Sequence, residues 1–148
     1  MIKHTFWRHA SLAFTAGALG ALANRIGLWI LGLLTVIPPT HISFPVPEPM
    51  KLWLYTAIVW GGLWGFLFLI PWRTSWWLRG IVFGFGPSLG VWLVIYPYLA
   101  HAGFFGVNHG VMALVIPFLL NNIVWGLVAS WWYDLTGGRA PNPEPRHP

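Results

Sequence analysis

Arg25 stands in an apolar run, Leu12 to Ile37, that is otherwise long enough to cross a bilayer. A guanidinium at that depth costs about 2.5 to 3.5 kcal/mol on insertion scales, so it must face protein or water and be solvated there. It carries five donors and no acceptor, which suits it to amide oxygens, hydroxyls, freed carbonyls or an anion. With the apolar segments stacked antiparallel, Asn24, Ser88, Asn121 and Asn122 fall at the same depth. Pro87 and Pro117 add to this layer, because a proline inside a helix releases the carbonyl four residues earlier, here those of Phe83 and Ala113. Two chemistries follow from one polar layer. Neutral hydrogen bonds lock the register of the helices, or the cation marks a site for an anion or polar headgroup.

Histidine gives a second constellation. His41, His101 and His109 are predicted on the outer side, where three imidazoles could hold a metal ion or haem iron beside tryptophans suited to a flat pigment. Their spacing matches no strong metal motif, and solvated loop histidines are the plainer reading. Trp60 and Trp64 share one face of the second apolar segment, with Trp92 and Trp125 in the third and fourth. They either line a quinone or pigment pocket or fill space against glycine faces. No cofactor is singled out. There is no paired carboxylate, no nucleophile with a base at readable spacing, no zinc-protease signature and no phosphate loop, since Gly84-Phe85-Gly86 belongs to an apolar helix. The sequence predicts no enzyme.

The elements that must position these residues are membrane helices. Of 148 residues 57% are hydrophobic and only 7% charged, far below the charge of soluble domains. Four segments reach the length a hydrocarbon core demands, residues 12–37, 50–70, 78–100 and 110–132. The expected fold is an all-α, integral membrane four-helix bundle forming one domain, residues 1–136. Residues 137–148 are expected to be a disordered tail. No Asp or Glu falls inside a predicted span. Lys3, Arg8, Arg73, Arg79, Arg139 and Arg146 flank one side and only Lys51 the other, so both termini are expected in the cytoplasm of a bacterial inner membrane. Trp7, Trp72, Trp76, Trp77, Trp131 and Trp132 form an aromatic belt on the same side, with Trp53, Tyr55, Tyr96 and Tyr98 opposite. Lys3, Arg8 and Ala21-Leu22-Ala23 imitate a cleavable secretory signal; a retained first helix is the reading preferred. Pro38, Pro39, Pro45, Pro47 and Pro49 make the first loop an extended strap. The net charge of +5 is scattered over flanks, which predicts no nucleic-acid groove.

Each segment also carries small residues at helical spacing. Ala13, Gly17 and Ala21 form a row whose next member is Arg25. Gly61 and Gly65, then Gly80, Gly84 and Ser88, then Asn122, Gly126 and Ser130, mark close-packing faces in the other three. Such rows let backbones approach. Some of these faces are left over for partners, so other membrane subunits or further copies of the chain are expected beside lipid.

The run Trp60-Gly61-Gly62-Leu63-Trp64-Gly65, the segment Gly84 to Pro97 and Asn121-Asn122-Ile123-Val124-Trp125-Gly126 resemble a group of small bacterial four-helix membrane proteins. The last two helices are similar to the YagU-like inner-membrane family, linked to acid resistance. That resemblance implies a bundle of this kind and brings no catalytic residues with it. The function expected is a non-catalytic accessory or assembly subunit of a larger membrane complex, or a homo-oligomer. The alternatives are an oligomeric transporter or channel for a small anion or polar solute using Arg25, and a haem-, pigment- or quinone-binding subunit.

Overall fold

The computed structural model describes residues 2–34 and 48–138. His41, the prolines of the strap other than Pro49, and the tail from residue 139 lie outside that range. The chain is all-α, with no strand among the described residues. Helix α1 spans Ile2–Leu33. It begins ten positions before the predicted Leu12, because Lys3 to Ser11 contains neither proline nor glycine to stop it. Helix α2, Glu48–Gly65, takes Pro49 into its first turn, where the missing N–H costs nothing. It tightens into a 3₁₀ turn at Phe66–Leu69 and ends ahead of Pro71.

Helix α3, Trp76–Gly90, passes into a π-helix at Val91–Leu99. After a 3₁₀ segment, Phe104–His109, helix α4 at Met112–Pro117 continues as a π-helix at Phe118–Trp125 and then as α5, Gly126–Leu135. Both π windings follow a helix-interior proline, where a missing N–H has already broken the i→i−4 ladder. The last rod outruns the predicted Trp132 and stops in a Schellman motif. Gly137, with φ +75°, donates to the Asp134 carbonyl at 3.2 Å and Gly138 to that of Tyr133 at 2.8 Å.

Thr5–Gly32, Trp76–Leu99 and Met112–Leu135 are long and apolar enough to cross a membrane, and Leu54–Leu69 is a shorter apolar helix. The structure therefore has three membrane-length helices where the sequence predicts four. The second rod falls short because its apolar part starts only at Leu54 and its last turn is 3₁₀. The extension of the last rod also corrects the expectation that no acid lies inside a span, since Asp134 falls within it.

Neighbouring rods run antiparallel. Gly17 rests on the backbone of Gly61 and Gly65, and Gly65 on the carbonyl of Ala13, so no side chain fits between α1 and α2. Gly80 and Gly126 meet backbone to backbone, and Gly84 lies on Asn122, joining α3 to α5 and the π segment before it. Gly20 lies against Trp125 and Ala129, which brings α1 onto the last rod. Contacts thus run from α2 to α1, to the last rod, to α3, while α2 barely meets α3. The four rods form an arc with a slot on one side. At the end holding the α1 start and the α5 finish, Phe68 fills the arc, its ring 5.4 Å from Phe83, 5.9 Å from Trp125 and 5.7 Å from Tyr133.

Candidate binding cavity

Toward the other end the arc is hollow. A cavity of about 790 Å³ is lined by α1 from Ala21 to Leu28, by α2 from Thr56 to Trp64, by Pro87 to Leu99 of the third rod and by Ile116 to Trp125 of the fourth. Asn24 and Arg25 stand on its wall beside Asn121, whose Oδ1 accepts a 2.7 Å hydrogen bond from Asn24 Nδ2. Arg25 is half-buried rather than enclosed. Among the described lining residues it carries the only formal charge, and it also interacts within the chain.

The predicted polar layer divides in two. Ser88 and Asn122 are fully buried between the third and fourth rods and do not line the cavity. Ser88 Oγ donates to Asn122 Oδ1 at 2.7 Å, and Asn122 Nδ2 to the Ile81 carbonyl at 2.7 Å. Consecutive residues on a helix point about 100° apart, so Asn121 turns to α1 and Asn122 to α3. The carbonyl that Pro117 frees at Ala113 accepts from Trp92 Nε1 at 3.3 Å.

Tryptophan shapes the floor. Trp125 donates through Nε1 to the Gly17 carbonyl at 2.9 Å, which fixes its ring beneath the cavity. Trp64 reaches from α2 across to the glycine face of α3. A Cβ at Gly86 would stand 3.1 Å from its ring and one at Gly90 3.2 Å. The indole is a wedge that bridges the two helices at the floor, and the hollow lies beyond it. Trp60 also lines the cavity yet is 59% exposed, at the edge of the slot.

The packed end holds a second charged group. Arg79, read from sequence as a flanking topology charge, is 3% exposed inside α3. Its guanidinium pairs with Asp134, donates through Nε to Ser130 Oγ at 3.4 Å, and lies 5.5 Å and 5.4 Å from the rings of Phe68 and Tyr133. Ser130 Oγ in turn donates to the Trp76 carbonyl at 2.7 Å. Arg79 is buried because Gly80 beside it brings α3 onto α5, leaving its side chain no path to solvent except along Asp134. Row spacing could have found it, since Asn122, Gly126 and Ser130 continue by four to Asp134.

The outer histidines do not converge on a site. His101, with φ 51°, and His109 are both exposed, and no group of three His, Cys, Asp or Glu is placed to hold a metal ion among the described residues. Nor does the cavity wall bring a carboxylate or imidazole to any hydroxyl, so the chemistry it offers is recognition. Comparison with family models, curated proteins and solved structures yields no match to this chain.

Proposed function

We propose that the chain is a non-catalytic, multi-pass protein of a bacterial inner membrane, with both termini cytoplasmic, that binds a membrane-borne ligand in the Arg25 cavity. The supporting observation is the cavity itself: its volume falls within the range of small-molecule sites, and it has a few convergent polar groups on mostly apolar walls. Binding is favoured over conduction because Trp64, Trp125 and the Phe68 cluster close the way to the opposite end. The likeness to YagU-like proteins rests on the same tryptophan and glycine runs that build the floor, and assigns no residue a role.

A second reading, an accessory or assembly subunit, has one observation in its favour. Helix α2 is packed on α1 alone for most of its length, and Tyr55, Val59 and Leu63 on it are exposed. One experiment separates the two. The protein is purified in mild detergent, run on a native gel and extracted for small molecules. A discrete species carrying a lipid-like molecule, absent from the cavity-filling Ala57→Phe variant, supports binding. Stoichiometric membrane proteins with no retained small molecule support the subunit reading instead.

A further inference from the structure

We infer that the cavity takes a single-chain amphiphile with an anionic head, a carboxylate or phosphate monoester, the head at Arg25 and the chain lying along Val94 and Leu99. This rests on the binding role proposed above and adds the class of ligand. Three features of the cavity converge on it.

The first is charge. The lining residues bring one cation and no carboxylate, and the Asn24–Asn121 hydrogen bond uses an amide donor against an amide acceptor. Donors therefore remain in excess on this wall. A guanidinium has N–H groups enough for a contact within the chain and for an oxyanion as well, and it meets carboxylate and phosphate oxygens in a fork geometry no neutral head can match. The second is the rest of the wall. Leu28, Val91, Val94, Leu99 and Ile116 offer only hydrocarbon, which an inorganic anion would leave uncovered but an alkyl chain would fill.

The third is access. The floor is shut by Trp64 against Gly86 and Gly90, whereas the flank between α2 and α3 is a slot. In a bilayer that slot opens on acyl chains, so a ligand arrives sideways from the lipid with its tail trailing outward. The cavity, about 790 Å³, suits one head with one chain. In this arrangement Arg25 selects the head, the apolar wall selects the tail, and the tryptophan floor sets how deep the head sits.

The test uses the full chain in polymer-bounded lipid discs, with binding read by native mass spectrometry. The probes are oleate, oleoyl lysophosphatidate, oleyl alcohol and inorganic phosphate. One oleate or one lysophosphatidate is expected per chain, with oleyl alcohol at least about tenfold weaker, since a charge-assisted hydrogen bond is lost. Phosphate alone should not bind. Arg25→Gln should weaken both anions by at least about tenfold while leaving oleyl alcohol unchanged, and Arg25→Lys should restore part of the difference. Should Arg25→Gln fail to assemble, the comparison of oleate with oleyl alcohol on the native chain decides alone. Equal binding of those two overturns head selection while leaving the binding role in place. Phosphate binding as tightly as lysophosphatidate overturns the amphiphile in favour of a plain anion site. If no probe binds and Ala57→Phe changes nothing that co-purifies, the binding role itself falls.

Discussion

Arg79 and Arg25 show how the same residue type serves two ends. Arg79 is enclosed by an acid, a hydroxyl and two rings; Arg25 looks into a hollow whose lining holds no acid. Removing one member of an enclosed pair strands the other, so Arg79→Leu should lower unfolding stability in detergent by about 3 kcal/mol or more, and Arg79→Leu with Asp134→Leu should recover most of it. Thermal unfolding of the two variants checks this; equal losses would show that the pair matters through its separate packing. Asn122→Ala removes two hydrogen bonds between buried groups, each worth about 0.6 kcal/mol on average in a membrane protein, so a loss of about 1 kcal/mol is expected. At this scale the sequence was half legible. Extending the Ala13, Gly17, Ala21 row by four residues led to Arg25, and the same step from Ser130 leads to Asp134. The predicted span ended too soon at Trp132 for that step to be taken. Asn121 and Asn122 were read as one group because depth is legible from position along a helix, while the side a residue faces depends on a winding that is not.

Helix pairs here are joined where side chains are missing. Gly61 faces the Gly17 carbonyl and the Ala21 methyl, with no room for a Cβ, whereas a Cβ at Gly32 would meet nothing within 4 Å. Gly61→Leu should therefore cost about 1 to 3 kcal/mol by forcing α1 and α2 apart, while Gly32→Ala should leave the melting temperature unchanged or raised. The reverse ranking would mean that this interface is not what holds the hairpin. The π-helix at Phe118–Trp125 accommodates one residue beyond an α-helical count. Deleting the half-exposed Leu119 would rewind it and turn everything beyond by about 100°. Gly126, Ser130 and Asp134 would leave α3 together, so the deletion should unfold the protein far more readily than Leu119→Ala does. Glycine rows were legible because four-residue spacing is a local property of the chain. Pro87 and Pro117 flagged where the winding is interrupted, but the π turns that follow depend on how α3 and the last rod settle against each other.

For the molecule as a whole, the start of α1 and the end of α5 lie at one end, where Gly137 comes within 3.6 Å of Arg8 Nη2 if given a Cβ. The chain has no cysteine, so single introduced cysteines report topology cleanly. With both termini cytoplasmic, Asn108→Cys should react with an impermeant maleimide added to intact cells, and Thr74→Cys and Gly137→Cys only after lysis. Labelling of all three from outside would remove the orientation argued from Lys and Arg. Composition alone carried the helical, membrane-like class. The hollow was not legible, because it arises from a mismatch between two contacts, α2 gripping α1 through glycine and meeting α3 through a ring.

That slot has a consequence for every measurement on this protein. Hydrocarbon does not leave such a gap vacant, since unfilled volume forfeits dispersion contacts on all its walls. Between visits of any specific guest, a lipid tail or a detergent molecule will be the tenant. What an experiment records is then an exchange, one occupant leaving as another arrives, and the apparent dissociation constant will drift with the solvent chosen to hold the protein. Host mixtures rich in fatty acid should mask the site, and hosts whose molecules are branched or bulky should reveal it.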